Sequence, residues 1–252
     1  MLLLGCVAQA PQVSAPVELV PAHNSSPVEL APAHNQYTIA SWNLQIYGES
    51  KASKDWLVDF YVEKLSKYDV SIIQEIRSAS PEPFEKLCLK MQQKGYQCYN
   101  SSRAGRSSSK EQYGVFWKNV DIPSFIDYNP DDRWERAPLS FSVFYGNKNI
   151  SVYTIHTKPD DVANELRALE GVINETPALV VGDLNADCDY YERDESFSNW
   201  TWYIEGDTTV SATECAYDRF IVRGGSLLSA NIDNFGINKT HSDHYLIWAE
   251  LG

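Results

Sequence analysis

The chain has 252 residues, of which 43% are hydrophobic, 12% aromatic and 22% charged, enough apolar material for a large buried core. Its 21 Lys and Arg face 34 Asp and Glu, a net charge of −13, which excludes a protein that grips a polyanion through a general basic surface. An enzyme that meets phosphates through a bound divalent cation stays open, because the cation brings positive charge locally and surplus carboxylates supply its ligands.

No run of about 18 apolar residues occurs, so the sequence holds no membrane-spanning helix. Leu3-Leu4-Gly5-Cys6 has the form of a lipobox, and residues 1–6 are read as the remnant of a lipoprotein signal with Cys6 as the lipidated residue. Residues 7–35 are read as a tether, because Pro16 to Asn24 recurs as Pro27 to Asn35 and the prolines bar helix and sheet interior. His23 and His34 belong to that repeat and are read as solvated. Five cysteines are an odd number. Lipidation of Cys6 leaves Cys88 and Cys98, which flank a helix-to-strand turn, and Cys188 and Cys215, which bracket a loop-rich segment. Two disulfides and a secreted or surface-anchored, extracytoplasmic protein are expected; the alternative is four buried thiols in a cytosolic one.

From Tyr37 the periodicity changes, and the catalytic unit is read as 36–252. Thr38 to Leu44 alternates like a strand. Ser53 is expected to cap a helix that buries Trp56, Leu57, Phe60, Leu65 and Tyr68 at helical spacing. Val70 to Gln74 is a buried strand, and Pro83 to Lys94 a second helix ended by Gly95. Strands follow at Tyr96 to Tyr99, Tyr113 to Lys118, Leu139 to Tyr145 and Ile150 to His156. Asp160 is expected to cap a third helix through Ile173, before a buried strand at Pro177 to Gly182. Tyr217 to Arg223 and His244 to Leu251 close the chain. The pattern predicts an α/β fold, a four-layer sandwich of two packed mixed β-sheets flanked by helices.

Polar residues cluster at the predicted strand ends: Asn43, Glu75, His156, Asp183, Asn185, Asp243 and His244. Loops converge at strand termini and leave backbone groups free for ligands. Oxygen donors from Asn, Glu and Asp, with no Cys or His at zinc spacing, point to Mg²⁺, Mn²⁺ or Ca²⁺ and so to phosphoryl chemistry. Each residue alone has a plainer reading, such as a turn at Asp183-Leu184-Asn185 or an ion pair of Glu75 with Arg77.

Taken together, Trp42-Asn43-Leu44-Gln45, Gln74-Glu75-Ile76-Arg77, Gly182-Asp183-Leu184-Asn185 and Ser242-Asp243-His244 resemble, in order, the motifs of the endonuclease/exonuclease/phosphatase superfamily, over about 38–251. Gly105-Arg106 before Lys110-Glu111-Gln112-Tyr113, Glu135-Arg136-Ala137-Pro138 and Cys215-Ala216-Tyr217-Asp218-Arg219 make its deoxyribonuclease I branch the most similar. The resemblance implies Glu75 as the main metal ligand, with Asn43, Asp183, Asn185 and Asp243 around metal and scissile phosphate. It implies His244 oriented by Asp218 and His156 held by Glu111 as the proton-handling pair. Arg77, Arg136 and, less directly, Arg106 resemble residues that grip substrate. It further implies a Cys188–Cys215 bridge tying two catalytic loops; no counterpart of Cys88–Cys98 maps onto that branch. Where the branch packs a tyrosine into the minor groove, this sequence has Ser109.

The expected protein is a monomeric, Mg²⁺- or Mn²⁺-dependent endonuclease that cuts double-stranded DNA with little sequence preference and leaves 5′ phosphates, with Ca²⁺ admitted as a structural ion. Membrane contact is expected only through lipid on Cys6. The rival is a phosphodiesterase acting on lipid headgroups or small phosphoesters, for which Trp200-Thr201-Trp202-Tyr203 is the one apolar feature. A surface adhesin that keeps the fold without the chemistry is disfavoured by the intact metal and histidine positions.

Overall fold

A computed structural model of the chain describes residues 36–106, 108–128 and 132–252; Cys6 and the repeat tether lie outside the described residues. In chain order the elements are β1 (Tyr37–Tyr47), α1 (Glu49–Ala52), α2 (Asp55–Leu65), β2 (Val70–Ile76), α3 (Glu82–Gln92), β3 (Gln97–Asn100) and β4 (Gln112–Trp117). These are followed by β5 (Phe125–Asp127), β6 (Leu139–Tyr145), β7 (Lys148–Thr154), α4 (Val162–Glu170) and β8 (Ala178–Asp183). The last four strands are β9 (Thr201–Tyr203), β10 (Asp218–Arg223), β11 (Leu227–Asp233) and β12 (Leu246–Leu251).

One sheet runs β11-β12-β1-β2-β4-β3 and the other β5-β6-β7-β8-β10-β9. Both are mixed: β1 and β2 are parallel, as are β7 and β8, while the other neighbours are antiparallel. Ile39, Ile72 and Val115 of the first sheet pack in one buried cluster with Phe141, Leu179 and Phe220 of the second. Leu57 and Tyr61 of α2 and Leu87 of α3 bury the outer face of the first sheet with Trp42 and Ile73. Leu166 and Leu169 of α4 do the same for the second against Val180 and Ile221. These are the four layers expected from the sequence, and removal of such apolar area from water is the main term that holds them together.

Local signals were less reliable than the layer pattern. Ser53 does not cap α2: it ends α1, its hydroxyl donating to the Ser50 carbonyl at 3.0 Å, and Lys54 takes the N-cap position without a side-chain bond. Trp56 is 54% exposed, because Leu57, Val58 and Tyr61 define the buried stripe and a residue 100° around the helix from Leu57 points outward. Asp160 sits in a 3₁₀ turn at Pro159–Asp161, and Asp161 occupies the N-cap of α4 with its carboxylate turned to the Asn164 amide at 2.7 Å. That helix stops at Glu170, short of Ile173. Three strands, β5, β9 and β11, had no clean alternation to mark them; two are only three residues long.

Both cysteine pairs are bridged, Cys88–Cys98 from α3 to β3 and Cys188–Cys215 across a 27-residue separation, each with Cα atoms 5.9 Å apart. Closing the longer loop removes unfolded-state entropy that the chain-entropy model values at about 3 to 4 kcal/mol. Reduction is therefore expected to lower the melting temperature by several degrees. Peptide mapping without reductant should recover Cys188 and Cys215 in one linked peptide, and recovery as free thiols would refute the bridge.

Candidate active site

Strand pairing brings the polar strand ends to one edge of the sandwich. The amide of Asn43, from β1, donates to Glu75 at the end of β2 at 3.0 Å and to Asp183 at the end of β8 at 2.9 Å, linking the two sheets. Asp218 opens β10 in register with Asp183. His156 follows β7, and its N–H donates to the Tyr113 hydroxyl of β4 at 3.0 Å. Gly182 has φ +142°, and a Cβ there would collide with the Ile155 carbonyl, so only glycine lets Asp183 approach this closely.

Each of two histidines donates Nδ1–H to its own carboxylate, His156 to Glu111 at 2.8 Å and His244 to Asp218 at 2.7 Å. Both then turn Nε2 to the same oxygen of Asp183, at 3.4 Å on each side. Two imidazoles, oriented by separate carboxylates, thus flank one central carboxylate. The loop that carries His244 is fastened through its backbone, since Trp42 donates to the His244 carbonyl at 2.8 Å and Ser242 donates to the Asn43 carbonyl at 2.6 Å.

Burial opposes charge on His244, but Asp218 and Asp183 outweigh it and its pKa is pushed up to about 10. His156 also moves upward, as Asp183 and Glu111 overcome burial and the opposing charge of Arg136. Asp183 moves down: burial alone would raise it, yet His244, His156 and the Asn43 amide favour the ionised form. Asp218 moves up because burial there exceeds the pull of His244. A group raised on folding contributes stability that is complete below its unfolded pKa, about 6.5 for histidine, and is lost as pH climbs through the folded value. In EDTA the melting temperature is therefore expected to fall by several degrees between pH 6 and pH 9, with a flatter slope in His244→Ala. Parallel slopes in calorimetry would count against this charge network.

Backbone strain gathers at the same edge. Gln45, Ile46, Glu75 and Asn185 all have φ between +46° and +61° without being glycine, and β-branched Ile46 is the costliest of them. The strain is held by side chains: Gln45 N–H donates to Asn43 Oδ1 at 2.8 Å, Ile46 N–H to Glu75 Oε2 at 2.9 Å, and Asn185 N–H to Asp183 Oδ1 at 3.1 Å. The half-buried ammonium of Lys51 bonds the Leu44 and His241 carbonyls at 2.7 and 2.8 Å, clamping the turn after Asn43 to the loop before Asp243. Burial lowers its pKa to about 8 while Asp243 and Glu75 pull it back upward. Lys51 was invisible in the sequence, because nothing local marks an exposed-looking lysine as one that will be buried between two loops. Gln45, which bonds Asp243 Oδ2 at 3.0 Å, stood within a recognised motif without a role.

The donor set suits a hard divalent cation. Glu75, Glu111 and His156 form one group whose ligand atoms lie within 4.8 Å of one another, and Asp183, Asp218 and His244 form another. Asp243 Oδ1 is buried with no hydrogen-bond partner among the described residues, a lone pair left over at the point where oxygen ligands were expected. Asn185 keeps its side-chain amide on the Thr157 carbonyl at 3.0 Å, which holds the turn after Asp183.

The three arginines separate. Arg77 lies 3.8 Å from Glu75 and 4.0 Å from Glu111, at the rim of the site. Arg136 spends Nε and one terminal nitrogen on the carbonyls of His156 and Thr157 and turns the other to Glu111 at 3.7 Å, so it braces the histidine loop. Arg106 stands apart beside Asp132 at 3.6 Å, lining a cavity of about 250 Å³ with Trp134 and Glu135. Ser109 is exposed. Trp200 is 6% exposed beneath Arg223, and Trp202 is covered by Arg193 at 4.6 Å, so the Trp-rich segment offers no apolar projection.

A two-sheet sandwich whose strand ends assemble histidine–carboxylate pairs around an acidic centre defines a phosphoester hydrolase. The chain belongs to the Endonuclease/Exonuclease/phosphatase family, whose model matches residues 40–244. Among individual proteins it is similar to Deoxyribonuclease-1 of Homo sapiens, 31% identical over 222 residues that cover 76% of this chain and 79% of that protein. Deoxyribonuclease-1 of Gallus gallus is 30% identical, covering 78% and 83%. In solved structures the fold recurs in an endonuclease/exonuclease/phosphatase family protein from Leptotrichia buccalis, with TM-score 0.64 and 15% identity over 86% of this chain and 99% of that one. It also recurs in the human Nocturnin catalytic domain, with TM-score 0.63 and 12% identity over 88% and 94%.

Proposed function

We propose that the protein is a divalent-metal-dependent endonuclease that hydrolyses DNA phosphodiesters with little sequence preference. The observation that carries this reading is the symmetrical placement of His156 and His244 about Asp183, beside Asn43 and Glu75. The similarity to Deoxyribonuclease-1 over three-quarters of the chain supports DNA as substrate.

Glu75, Asn43, Asp183 and Asp243 would hold Mg²⁺ or Mn²⁺. When bound, the ion supplies Lewis-acid neutralisation of the scissile phosphate. The chain's own residues handle the protons. One imidazole, neutral at Nε2, takes the proton of the attacking water as its oxygen bonds to phosphorus. The other, held as imidazolium by its carboxylate and by Asp183, protonates the 3′ oxygen as the P–O3′ bond breaks. The phosphate stays on the 5′ side. Arg77 at the rim meets the phosphate backbone, Arg136 acts by holding the His156 loop, and Arg106 reaches only a more distant part of the strand. A monomer suffices, since every group named comes from one chain. The two disulfides favour an oxidising, extracytoplasmic setting, and an anchor at Cys6 would keep the enzyme at a cell surface.

Supercoiled plasmid, RNA and sphingomyelin offered separately with Mg²⁺, Mn²⁺ or EDTA test the reading. Nicked plasmid with ligatable 5′-phosphate ends is expected with either ion. Turnover of sphingomyelin without plasmid nicking would replace this reading with the lipid phosphodiesterase.

A further inference from the structure

Trp56 stands at the first turn of α2, off the buried stripe of that helix, with over half its surface in solvent. Its ring meets the imidazole of His241 edge-on, centroids 6.1 Å apart, and Phe60 stacks on the same imidazole at 4.0 Å. His241 is therefore wedged between two aromatic rings. Its carbonyl is gripped by Lys51 at 2.8 Å and Tyr61 at 2.6 Å, and Asp243 follows two residues later. The aromatic group is continuous with the catalytic loop.

The charge around it is also distinctive for so acidic a chain. Asp55 and Asp59 on the same helix are each paired, with Lys86 and Lys90, at 2.6 Å. Lys54, two residues before Trp56, and Lys239, two before His241, are exposed with no carboxylate partner among the described residues. At this end of α2 an exposed indole and an exposed lysine, Trp56 and Lys54, stand within one helical turn, a combination suited to a base together with a flanking phosphate.

We propose that Trp56, braced by His241 and Phe60, is a stacking subsite for an unpaired nucleobase on the strand whose phosphate occupies the histidine–carboxylate site. This inference rests on the nuclease reading and narrows its substrate to single-stranded or locally opened DNA, because a base inside a duplex has both faces covered by its neighbours. Every base has a π-face, so the subsite adds affinity without adding sequence preference. A bilayer is the weaker occupant, since the exposed Lys54 stands in the same turn as the indole and membrane insertion would have to desolvate it.

The test compares wild type, Trp56→Ala and Trp56→Phe on a single-stranded oligonucleotide, on its duplex and on bis(p-nitrophenyl) phosphate, which carries no flanking base. The KM of Trp56→Ala on the single strand is expected to rise about tenfold relative to any change on the small diester, with Trp56→Phe recovering most of the loss. In EDTA the same oligonucleotide should quench tryptophan emission of the wild type, with less quenching in Trp56→Phe. Melting temperatures confirm that the variants fold. An unchanged single-strand KM with cleavage intact would overturn the inference and leave the nuclease reading standing. An equal loss on duplex and single strand, or loss of binding to phosphatidylcholine vesicles in its place, would also overturn it. A wild type that cuts bis(p-nitrophenyl) phosphate but no oligonucleotide would overturn both.

Discussion

Alanine at His244 is expected to lower kcat on plasmid DNA by about three orders of magnitude, within the 10² to 10⁴ range typical of positioned proton transfer. The size follows from the geometry. His244 is 8% exposed, its Nδ1–H bonds Asp218 at 2.7 Å, and its Nε2 lies 3.4 Å from Asp183, so the imidazole is held in one orientation that alanine cannot supply. His156→Ala should lose a similar factor, because Glu111 and Asp183 hold it in the mirror-image arrangement. The double variant should be far less than multiplicatively worse, since a proton accepted on one side of the phosphate serves little purpose unless one is delivered on the other. Asp218→Asn offers a sharper reading: it keeps the shape, removes the charge that raises His244, and should shift the pH profile of kcat downward on its acid-supplying limb. Single-turnover kinetics across pH 5 to 9 decides the matter. A single histidine variant with near wild-type kcat would take that residue out of the proton pathway.

Removal of the metal, or of its main ligand, is the second large effect. EDTA should abolish nicking, and Glu75→Ala should lose at least about a hundredfold at saturating Mg²⁺, given several kcal/mol of charge stabilisation by the ion and about 1.4 kcal/mol per tenfold in rate. Glu75 cannot be replaced by a neighbour. Its two oxygens are aimed by the Asn43 amide and the Ile46 N–H, and its own φ of +61° sets the direction of the side chain. An independent readout comes from thermal stability, because a ligand that binds only the folded state raises the melting temperature by mass action. Wild type should melt higher as Mn²⁺ is added and Glu75→Ala should not, while the two melt at comparable temperatures in EDTA. Full nicking in EDTA, or an equal Mn²⁺-dependent rise in both proteins, would remove Glu75 and the metal from the reading.

Much of this was legible one residue type at a time. The short apolar run Val70 to Gln74 and the run Leu139 to Tyr145 announce strands, because a strand buried on both faces reads as a short apolar stretch and a half-buried one carries the two-residue side-chain period of its backbone. The ordered motifs around Asn43, Glu75, Asp183 and His244 announced the family, and their place at strand ends announced that these residues would meet at one edge. Cysteine count and placement announced both bridges, Cys88–Cys98 and Cys188–Cys215.

What the tertiary structure alone decided are the relations between segments distant in sequence. That Asn43 reaches Asp183, 140 residues away, depends on how two sheets pack face to face. The same holds for Lys51, whose neighbours along the chain mark it as a surface lysine and whose half-buried ammonium bonds the Leu44 carbonyl of β1 and the distant His241 carbonyl. Arg136, read as a substrate grip, bonds the carbonyls of His156 and Thr157, and Trp56, read as core, lies in solvent beside His241. The physical reason is common to these cases. Periodicity and residue chemistry are local and survive in any fold, whereas burial, hydrogen-bond partners and pKa are properties of the space between elements, which exists only once the sheets have met.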